Sequence, residues 1–310
     1  MTDILVSAEW LASNLDGVRI FDVSNHLPTA DRRAVDEFEE AHIPGAARFD
    51  IDRIADPDSP LPHTVPTPAV FEAHMRALGL HDEDHIVLYD DSDVKSAARG
   101  WWMLRLFGHE RVSILDGGLA AWRRAGGGLV SGTMTQPAEG TFTARPAIGV
   151  DVVTMAQLAD SIEGGTAGQI LDARAAARFA GEAPEPRKGL RAGHIPGSRN
   201  LPFSKLFDED GKYRDAATIR RLFDEAGIDV AQPVTTTCGS GVTACALAVG
   251  LALIGNERTI IYDGSWTEWG ASDAPIETGT ADEPTLPRPG PINDPGFGSG
   301  TASCDHSSGS

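Results

Sequence analysis

The sequence carries the same succession of short motifs twice, and this internal repeat constrains the fold more than any other feature. His42–Ala46 reads HIPGA, and His194–Ser198 reads HIPGS 152 residues later. Leu115–Trp122 (LDGGLAAW) and Tyr262–Trp269 (YDGSWTEW) match at an offset of 147 residues. The strings IFDV and ILDA, which begin at positions 20 and 170, match in the same order. Three matches at nearly one spacing predict two copies of one domain.

Within each copy, short apolar or β-branched runs alternate with segments whose apolar residues recur at three- and four-residue spacing. The predicted strands are Ile20–Val23, Ile86–Tyr89, Val112–Leu115, Ile170–Asp172, Val234–Thr237 and Thr259–Tyr262. The predicted helices are Ala69–Leu78, Ser96–Phe107, Val153–Ile162, Ala216–Ala226 and Thr243–Leu253. This alternation favours an α/β fold class with two tandem domains, each a parallel sheet flanked by helices.

Composition places the domain boundaries. The first domain is predicted at residues 1–135 and the second at 150–277, joined by a linker over 131–149 that is rich in Gly, Thr, Pro and Ala. After Trp269 the chain turns to Gly, Pro, Ser, Asp and Thr, so residues 278–310 are predicted to be a disordered tail.

The charge balance excludes several classes of partner. With 26 Lys plus Arg against 45 Asp plus Glu, the formal net charge is −19, which disfavours binding to nucleic acid or to an anionic membrane surface. The longest apolar run, Ala244–Gly255, is much shorter than the roughly 20 residues that span a bilayer. The first residues show no basic segment followed by an apolar one, so a cytoplasmic location is expected.

The few cysteines indicate chemistry rather than a disulfide framework. Three of them, Cys238, Cys245 and Cys304, are too few and odd in number for such a framework. Cys245 stands among Ala and Leu in a predicted helix, where a core position suits it, and Cys304 lies in the predicted tail. Asp90 and Asp91 lack the clustered ligand spacing of a metal site, so neither a metal nor another cofactor is expected.

Cys238 stands where a reactive thiol is best placed. The segment Thr236–Ala244 (TTCGSGVTA) joins a predicted strand to a long apolar helix, and parallel α/β sheets bind ligands at the carboxyl ends of their strands. Gly239 and Gly241 allow the backbone to curl so that N–H groups point inward beside the positive end of a helix dipole. A thiol held there is favoured as the nucleophilic thiolate. The alternative is a small buried apolar residue, the commoner environment of a lone cysteine.

The two copies differ at this position. At an offset of 148 residues, Cys238-Gly239-Ser240 corresponds to Asp90-Asp91-Ser92. Only the second copy therefore carries a nucleophile.

Four features of the chain occur together: two tandem copies, an HIPG motif in each copy, a reactive-loop cysteine in only the second copy, and the loop sequence CGSGVT. With this combination the chain resembles the 3-mercaptopyruvate branch of the tandem-domain rhodanese family of sulfurtransferases. The resemblance runs from Val6 to Trp269. It implies that Cys238 takes sulfur from the small-molecule donor 3-mercaptopyruvate as a persulfide and releases pyruvate. The sulfur then passes to a thiol acceptor, such as thioredoxin or a small thiol, or to cyanide. The loop residues expected to bind substrate and persulfide are Gly239, Gly241, Val242 and Thr243.

The family pattern also implies a pair of arginines. Arg178 and Arg187 match the residues that hold the donor's carboxylate and carbonyl, for which a planar cation is suited. Without the resemblance, both would be interpreted as solvated surface residues. Thiosulfate-using members of the family carry Arg and Lys directly after the cysteine, whereas Gly239 and Ser240 stand here. A neutral loop favours 3-mercaptopyruvate, with thiosulfate as the alternative donor.

The same pattern groups Ser240 with Asp52 and His63 of the first copy. Such a set could remove the proton of the donor thiol or return one to the pyruvate enolate, and it would place the active site between the domains. Alternatively, Ser240 caps a helix and His63 is solvated in its Pro-rich loop. A thiolate already stabilised by its loop needs no base.

Two other functions remain as alternatives. A phosphatase of the related Cys-loop kind needs an arginine six positions after the nucleophile, where Ala244 stands. A non-enzymatic sulfur carrier would hold a persulfide for a partner without releasing pyruvate, and the two arginines favour turnover over this function.

Overall fold

Each copy of the repeat forms a five-stranded parallel sheet, as the alternating pattern predicts. The computed structural model describes residues 3–133, 137–147 and 149–280. The first sheet contains, in chain order, β1 (Leu5–Val6), β2 (Arg19–Asp22), β3 (Ala47–Arg48), β4 (Ile86–Tyr89) and β5 (Val112–Leu115). The second contains β6 (Val150–Val153), β7 (Gln169–Asp172), β8 (Arg199–Asn200), β9 (Val234–Thr237) and β10 (Thr259–Tyr262). The spatial orders β1-β5-β4-β2-β3 and β6-β10-β9-β7-β8 are equivalent, which confirms the repeat.

Helices flank each sheet, and every residue of the central strand β4 is buried, as a parallel sheet covered on both faces requires. Those of the first copy are α1 (Ala8–Ala12), α2 (Ala34–Glu40), α3 (Ile51–Ile54), α4 (Pro68–Ala77), α5 (Ala97–Leu106) and α6 (Gly118–Arg124). Those of the second copy are α7 (Met155–Glu163), α8 (Ala176–Phe179), α9 (Ala216–Glu225), α10 (Ala244–Leu253) and α11 (Ser265–Trp269). No helix among the described residues is long and apolar enough to cross a bilayer.

The structure corrects one sequence-based element and adds several that the sequence did not predict, namely the edge strands β1, β3, β6 and β8 and the shorter helices. Val153, predicted as the start of a helix, ends strand β6, and Thr154 caps α7 with its side chain in a reciprocal contact with Gln157. The edge strands β1, β3 and β8 have two residues each, too short for a hydrophobic period to reveal them.

The predicted linker packs onto the first domain where it is described. Phe142 is buried, and its N–H donates to the carbonyl of Leu80 at 3.0 Å. At the other end of the second domain, Gly279 N–H donates to the carbonyl of Ala180 at 2.9 Å. Residues 281–310, most of the predicted tail and including Cys304, lie outside the described residues.

The two domains share one apolar core. Helices α5 and α10 pack against each other, and a single cluster of buried apolar side chains contains Trp101 and Leu104 of α5 together with Leu247 and Leu251 of α10. This packing holds the carboxyl end of β9 against loops of the first domain, so residues from both domains meet at one cavity.

Candidate active site

Cys238 lies at a cavity between the two domains. It follows β9 directly, as Asp90 follows β4 in the first domain. Its residue surface is 2% exposed, and it lines a cavity of about 180 Å³. Side chains from both domains line the same cavity, including Asn25, His63, Val94, Arg178, Arg187 and Ser240.

The loop after Cys238 is anchored through its carbonyl groups. The carbonyls of Cys238 and Gly239 accept hydrogen bonds from the N–H groups of Trp266 and Thr267, at 3.0 and 2.9 Å, in the first turn of α11. In a planar trans peptide, the C=O and the following N–H point in opposite directions. The N–H groups of Gly239 and Ser240 therefore point away from α11.

Ser265 holds the next part of the loop. Its Oγ accepts from the N–H groups of Cys238 and Gly241, both at 3.1 Å, and donates to the carbonyl of Tyr262 at 2.8 Å. The side chain is fully buried and its backbone has a positive φ of 49°. The motif analysis missed this residue, although its signal was present: the second copy reads DGSW where the first reads DGGL.

The structure differs from the expectation at Gly241. Its N–H group is taken by Ser265, so this amide is not available to a substrate. Its φ is +78°, and a Cβ there would lie 2.9 Å from the carbonyl oxygen of Asp263. Gly241 therefore shapes the loop because only glycine fits this turn.

The remaining amides form an anion cradle. In the described part of the chain, no protein group accepts from the N–H groups of Gly239, Ser240, Val242, Thr243 or Ala244. They precede or begin the ten-residue helix α10, whose dipole adds positive potential at this end. Free amides at a helix N-terminus suit a sulfur atom that carries negative charge.

Arg178 is held by a buried network. Its guanidinium pairs with Glu185, whose side chain is 3% exposed and also pairs with Arg174 at 2.7 Å. Arg174 in turn pairs with Asp172 at the end of β7, at 2.6 Å. A Cβ built on Gly239 would lie 3.3 Å from Nη2 of Arg178, which places this guanidinium beside the loop. The sequence analysis missed Glu185, the group that orients Arg178.

Arg187 has a different environment. Among the described residues, no carboxylate oxygen lies within 4.0 Å of its guanidinium. Burial lowers the pKa of Arg187 from its ordinary value, with the negative charges of Cys238 and Asp52 opposing this change. Arginine remains charged at neutral pH, so Arg187 is the cation at this cavity that is free to bind an anion.

His63 and Asp52 are brought together as the resemblance implies. Nδ1 of His63 lies 2.7 Å from Oδ1 of Asp52, with the ring N–H off the line between them, and Nε2 lies 3.3 Å from Nη2 of Arg187. The contact with His63 lowers the pKa of Asp52. Since a guanidinium only donates, Nε2 of His63 is the acceptor in its contact with Arg187.

Ser240 lines the same cavity as His63. Within the described ranges, its hydroxyl makes no hydrogen bond to His63. The structure thus forms the His63–Asp52 half of the implied set, whereas Arg187 occupies the contact at Nε2.

Both copies of the repeat match the model of the rhodanese-like domain, over residues 7–125 and 154–272. The chain belongs to the rhodanese family. A 3-mercaptopyruvate sulfurtransferase of Homo sapiens is 44% identical over 275 residues, which cover 86% of this chain and 91% of the relative. A thiosulfate/3-mercaptopyruvate sulfurtransferase 1 of Arabidopsis thaliana, named as mitochondrial, is 42% identical over 88% of this chain and 78% of its own length.

A solved rhodanese-fold structure agrees with these relatives. The crystal structure of the 3-mercaptopyruvate sulfotransferase SseA from Escherichia coli superposes with a TM-score of 0.76 at 40% identity, covering 86% of this chain and 99% of that one. The predicted resemblance to the rhodanese family and the predicted fold class are both confirmed.

Proposed function

We propose that this rhodanese-family protein is a 3-mercaptopyruvate sulfurtransferase in which Cys238 carries the transferred sulfur. One observation supports this most strongly: the thiol, the cradle of free amides after it and the unpaired cation of Arg187 meet at one cavity. A small anionic donor with an adjacent sulfur would contact all three at once.

The first half-reaction loads the cysteine. The Cys238 thiolate attacks the donor sulfur, so an S–S bond forms while the donor's C–S bond breaks and its electron pair remains on carbon as the pyruvate enolate. Once the donor carboxylate has taken the guanidinium of Arg187, the lone pair of His63 Nε2 is free to accept the donor thiol proton and to return it to the enolate, which becomes pyruvate. The outer sulfur of the persulfide is then anionic, and the amides of Gly239 and Ser240 face it.

The donor binds through the two arginines. Arg187, which has no carboxylate partner in the described chain, takes the donor carboxylate in a bidentate contact. Arg178 is already paired with Glu185 and orients the adjacent carbonyl. The loop itself offers neutral residues at Gly239 and Ser240, which favours 3-mercaptopyruvate over the dianion thiosulfate.

The second half-reaction unloads the cysteine. A thiolate or cyanide attacks the outer sulfur, the S–S bond breaks, and its electron pair returns to Cys238. We infer that the acceptor is a thiol such as thioredoxin or a small thiol, because a thiolate is the nucleophile that attacks a disulfide-type sulfur. A cytoplasmic location, where thiols are kept reduced, suits this step.

Replacement of Cys238 by Ser tests the proposal directly. Cys238→Ser should abolish both pyruvate release from 3-mercaptopyruvate and the mass increase of one sulfur atom on the protein. Cys245→Ser is the matched control: Cys245 is fully buried, burial raises its pKa to about 12, and its Sγ lies 3.2 Å from the carbonyl of Gly241. That variant should retain activity.

Three results would contradict the proposal. Undiminished pyruvate release by Cys238→Ser would remove the nucleophile. A stable persulfide formed without pyruvate would indicate a sulfur carrier. Faster thiocyanate formation from thiosulfate than from 3-mercaptopyruvate would assign the other donor.

A further inference from the structure

Arg99 of the first domain is buried between the two halves of the site. It lies on α5, its side chain is fully buried, and its Nη2 donates to the carbonyl of His63 at 2.6 Å. The same nitrogen contacts Oδ1 of Asp263, in the second domain, at 2.8 Å. Its Nη1 lies 3.4 Å from the carbonyl of Gly241 in the Cys238 loop.

Asp263 completes the connection. Its Oδ2 accepts the N–H of Val65 at 2.6 Å. The segment 56–65, here called the His63 arm, is closed by a hydrogen bond from Asp56 N–H to the carbonyl of Thr64 at 3.0 Å. One buried ion pair across the domain interface therefore holds the backbone of this arm on both sides of residue 64.

The conformation of His63 makes such an anchor necessary. Its φ is +62°, in the left-handed region that side chains other than glycine rarely adopt. A strained conformation persists only where its surroundings hold it. The hydrogen bond from Arg99 Nη2 to the carbonyl of His63 holds this strained conformation.

The first domain offers an internal comparison. Asp116 of the first domain matches Asp263 in the repeat, and its Oδ1 accepts the N–H of Tyr213 at 2.9 Å. The segment around Tyr213, here called the Tyr213 arm, is thus held near Asp90 as the His63 arm is held near Cys238. Arg99 is the third residue of α5, and the third residue of α10 is Ala246. The buried arginine of α5 therefore has no counterpart in α10, and the Tyr213 arm is contacted instead by the partly exposed Arg124, whose Nη2 donates to the carbonyl of Asp210 at 2.9 Å.

We propose that Arg99 is a positioning residue for sulfur transfer, which holds Nε2 of His63 at the place where the donor thiol loses its proton. This inference rests on the proposed function, because it assigns to Arg99 the placement of the base in the loading half-reaction. The Cys238 loop has its own anchors in Ser265 and α11, so Arg99 affects the base more than the amide cradle.

Separating the two half-reactions tests the proposal. Arg99→Lys keeps the charge, but a single ammonium cannot span the His63 carbonyl, Asp263 and the Gly241 carbonyl. Rapid-quench measurement of pyruvate should show loading slowed about 10- to 100-fold, as a displaced catalytic group predicts. The KM for 3-mercaptopyruvate should stay near that of the native protein, and so should the rate at which cyanide discharges the loaded persulfide.

Asp263→Asn supplies a second variant in case Arg99→Lys fails to fold. It preserves the volume of the side chain and loosens the His63 arm, so loading should again slow selectively. Asp116→Asn is the matched control, since it changes the same kind of carboxylate-to-backbone contact at Tyr213, in the second domain. Its loading rate should stay within about twofold of the native rate, because well-separated sites act independently.

Each outcome decides between alternatives. Native loading in both Arg99→Lys and Asp263→Asn, or equal slowing of loading and discharge, would overturn the positioning role while leaving the proposed function intact. Equal slowing by Asp116→Asn would show a general effect on folding and would also overturn it. Failure of the native protein to release pyruvate would refute the proposed function and this inference together.

Discussion

Nη2 of Arg187 lies 3.3 Å from Nε2 of His63, so a cation of the second domain meets the imidazole of the first across the cavity. The other ring nitrogen of His63 lies 2.7 Å from Asp52. A carboxylate bound by Arg187 therefore arrives beside Nε2, which is the acceptor in its contact with Arg187. On the proposed function, a donor carboxylate that takes Arg187 frees this nitrogen to accept the thiol proton.

The two arginines should differ in their effect on donor binding. Arg187→Ala should raise the KM for 3-mercaptopyruvate about 10- to 100-fold, the value of a charged hydrogen bond lost from a binding site. Arg178→Ala should raise it less, because Glu185 already neutralises part of its charge. Steady-state kinetics of pyruvate release measures both. Equal effects, or a larger effect of Arg178→Ala, would contradict the assignment.

His63 should be needed for loading and not for discharge. His63→Ala should slow pyruvate formation about 10²- to 10⁴-fold, as loss of a general base does, while cyanide discharge of the persulfide stays unchanged. Asp52→Asn should have a smaller effect, because the Asp52 side chain is 59% exposed. A native rate of pyruvate formation in His63→Ala would instead favour a thiolate that needs no base.

Ser265 should support both stability and catalysis. Ser265→Ala leaves two buried N–H groups without an acceptor and should lower the free energy of unfolding by about 1–3 kcal/mol, with a slower turnover as the loop loosens. Ser113→Ala is the control: Ser113 is fully buried in β5 of the first domain, and its Oγ donates to the carbonyl of Asp3 in that same domain. Urea unfolding should show both variants destabilised, with turnover lost only in Ser265→Ala. Loss of turnover in both would contradict this prediction.

Asp90, the counterpart of Cys238, should make stability depend on pH. Burial raises the pKa of its carboxyl from 3.8 to about 6. Between these values the folded state keeps a proton that the unfolded chain has lost, so stability falls as the pH rises through this window. Asp90→Asn should therefore raise the free energy of unfolding at pH 7 by an amount on the order of 2 kcal/mol.

The same comparison at low pH is the control for Asp90. Near pH 4 the native carboxyl is protonated, and the advantage of Asp90→Asn should vanish. The substitution should leave the rate of sulfur transfer unchanged at either pH, since Asp90 is not among the residues that line the Cys238 cavity. An advantage independent of pH would show that burial of the charge is not its cause.

The local pattern of the chain was sufficient for the fold and singled out Cys238 as the candidate nucleophile, a role that remains a prediction. The repeat, the alternation of apolar runs and the glycines after Cys238 are short-range features, and they predicted two parallel α/β domains that the structure confirms. Elements of two residues, such as β3, escaped because they pair through the backbone and carry no hydrophobic period. The roles of Ser240, His63, Asp52 and the two arginines remain predictions.

What required the tertiary structure is the set of contacts between residues far apart in the chain. Ser265 beneath the Cys238 loop, Glu185 behind Arg178, and Arg99 between His63 and Asp263 all act through hydrogen bonds that depend on how the two domains pack. The sequence by itself predicted the six interior strands, the five longest helices and the loop after Cys238, because propensity and periodicity act locally. Which N–H groups are left to bind an anion followed only from three-dimensional pairing, since a polar group is free only when no distant partner reaches it. The same holds for Arg187, which alone among the arginines lining the cavity has no carboxylate within 4.0 Å in the described part of the chain.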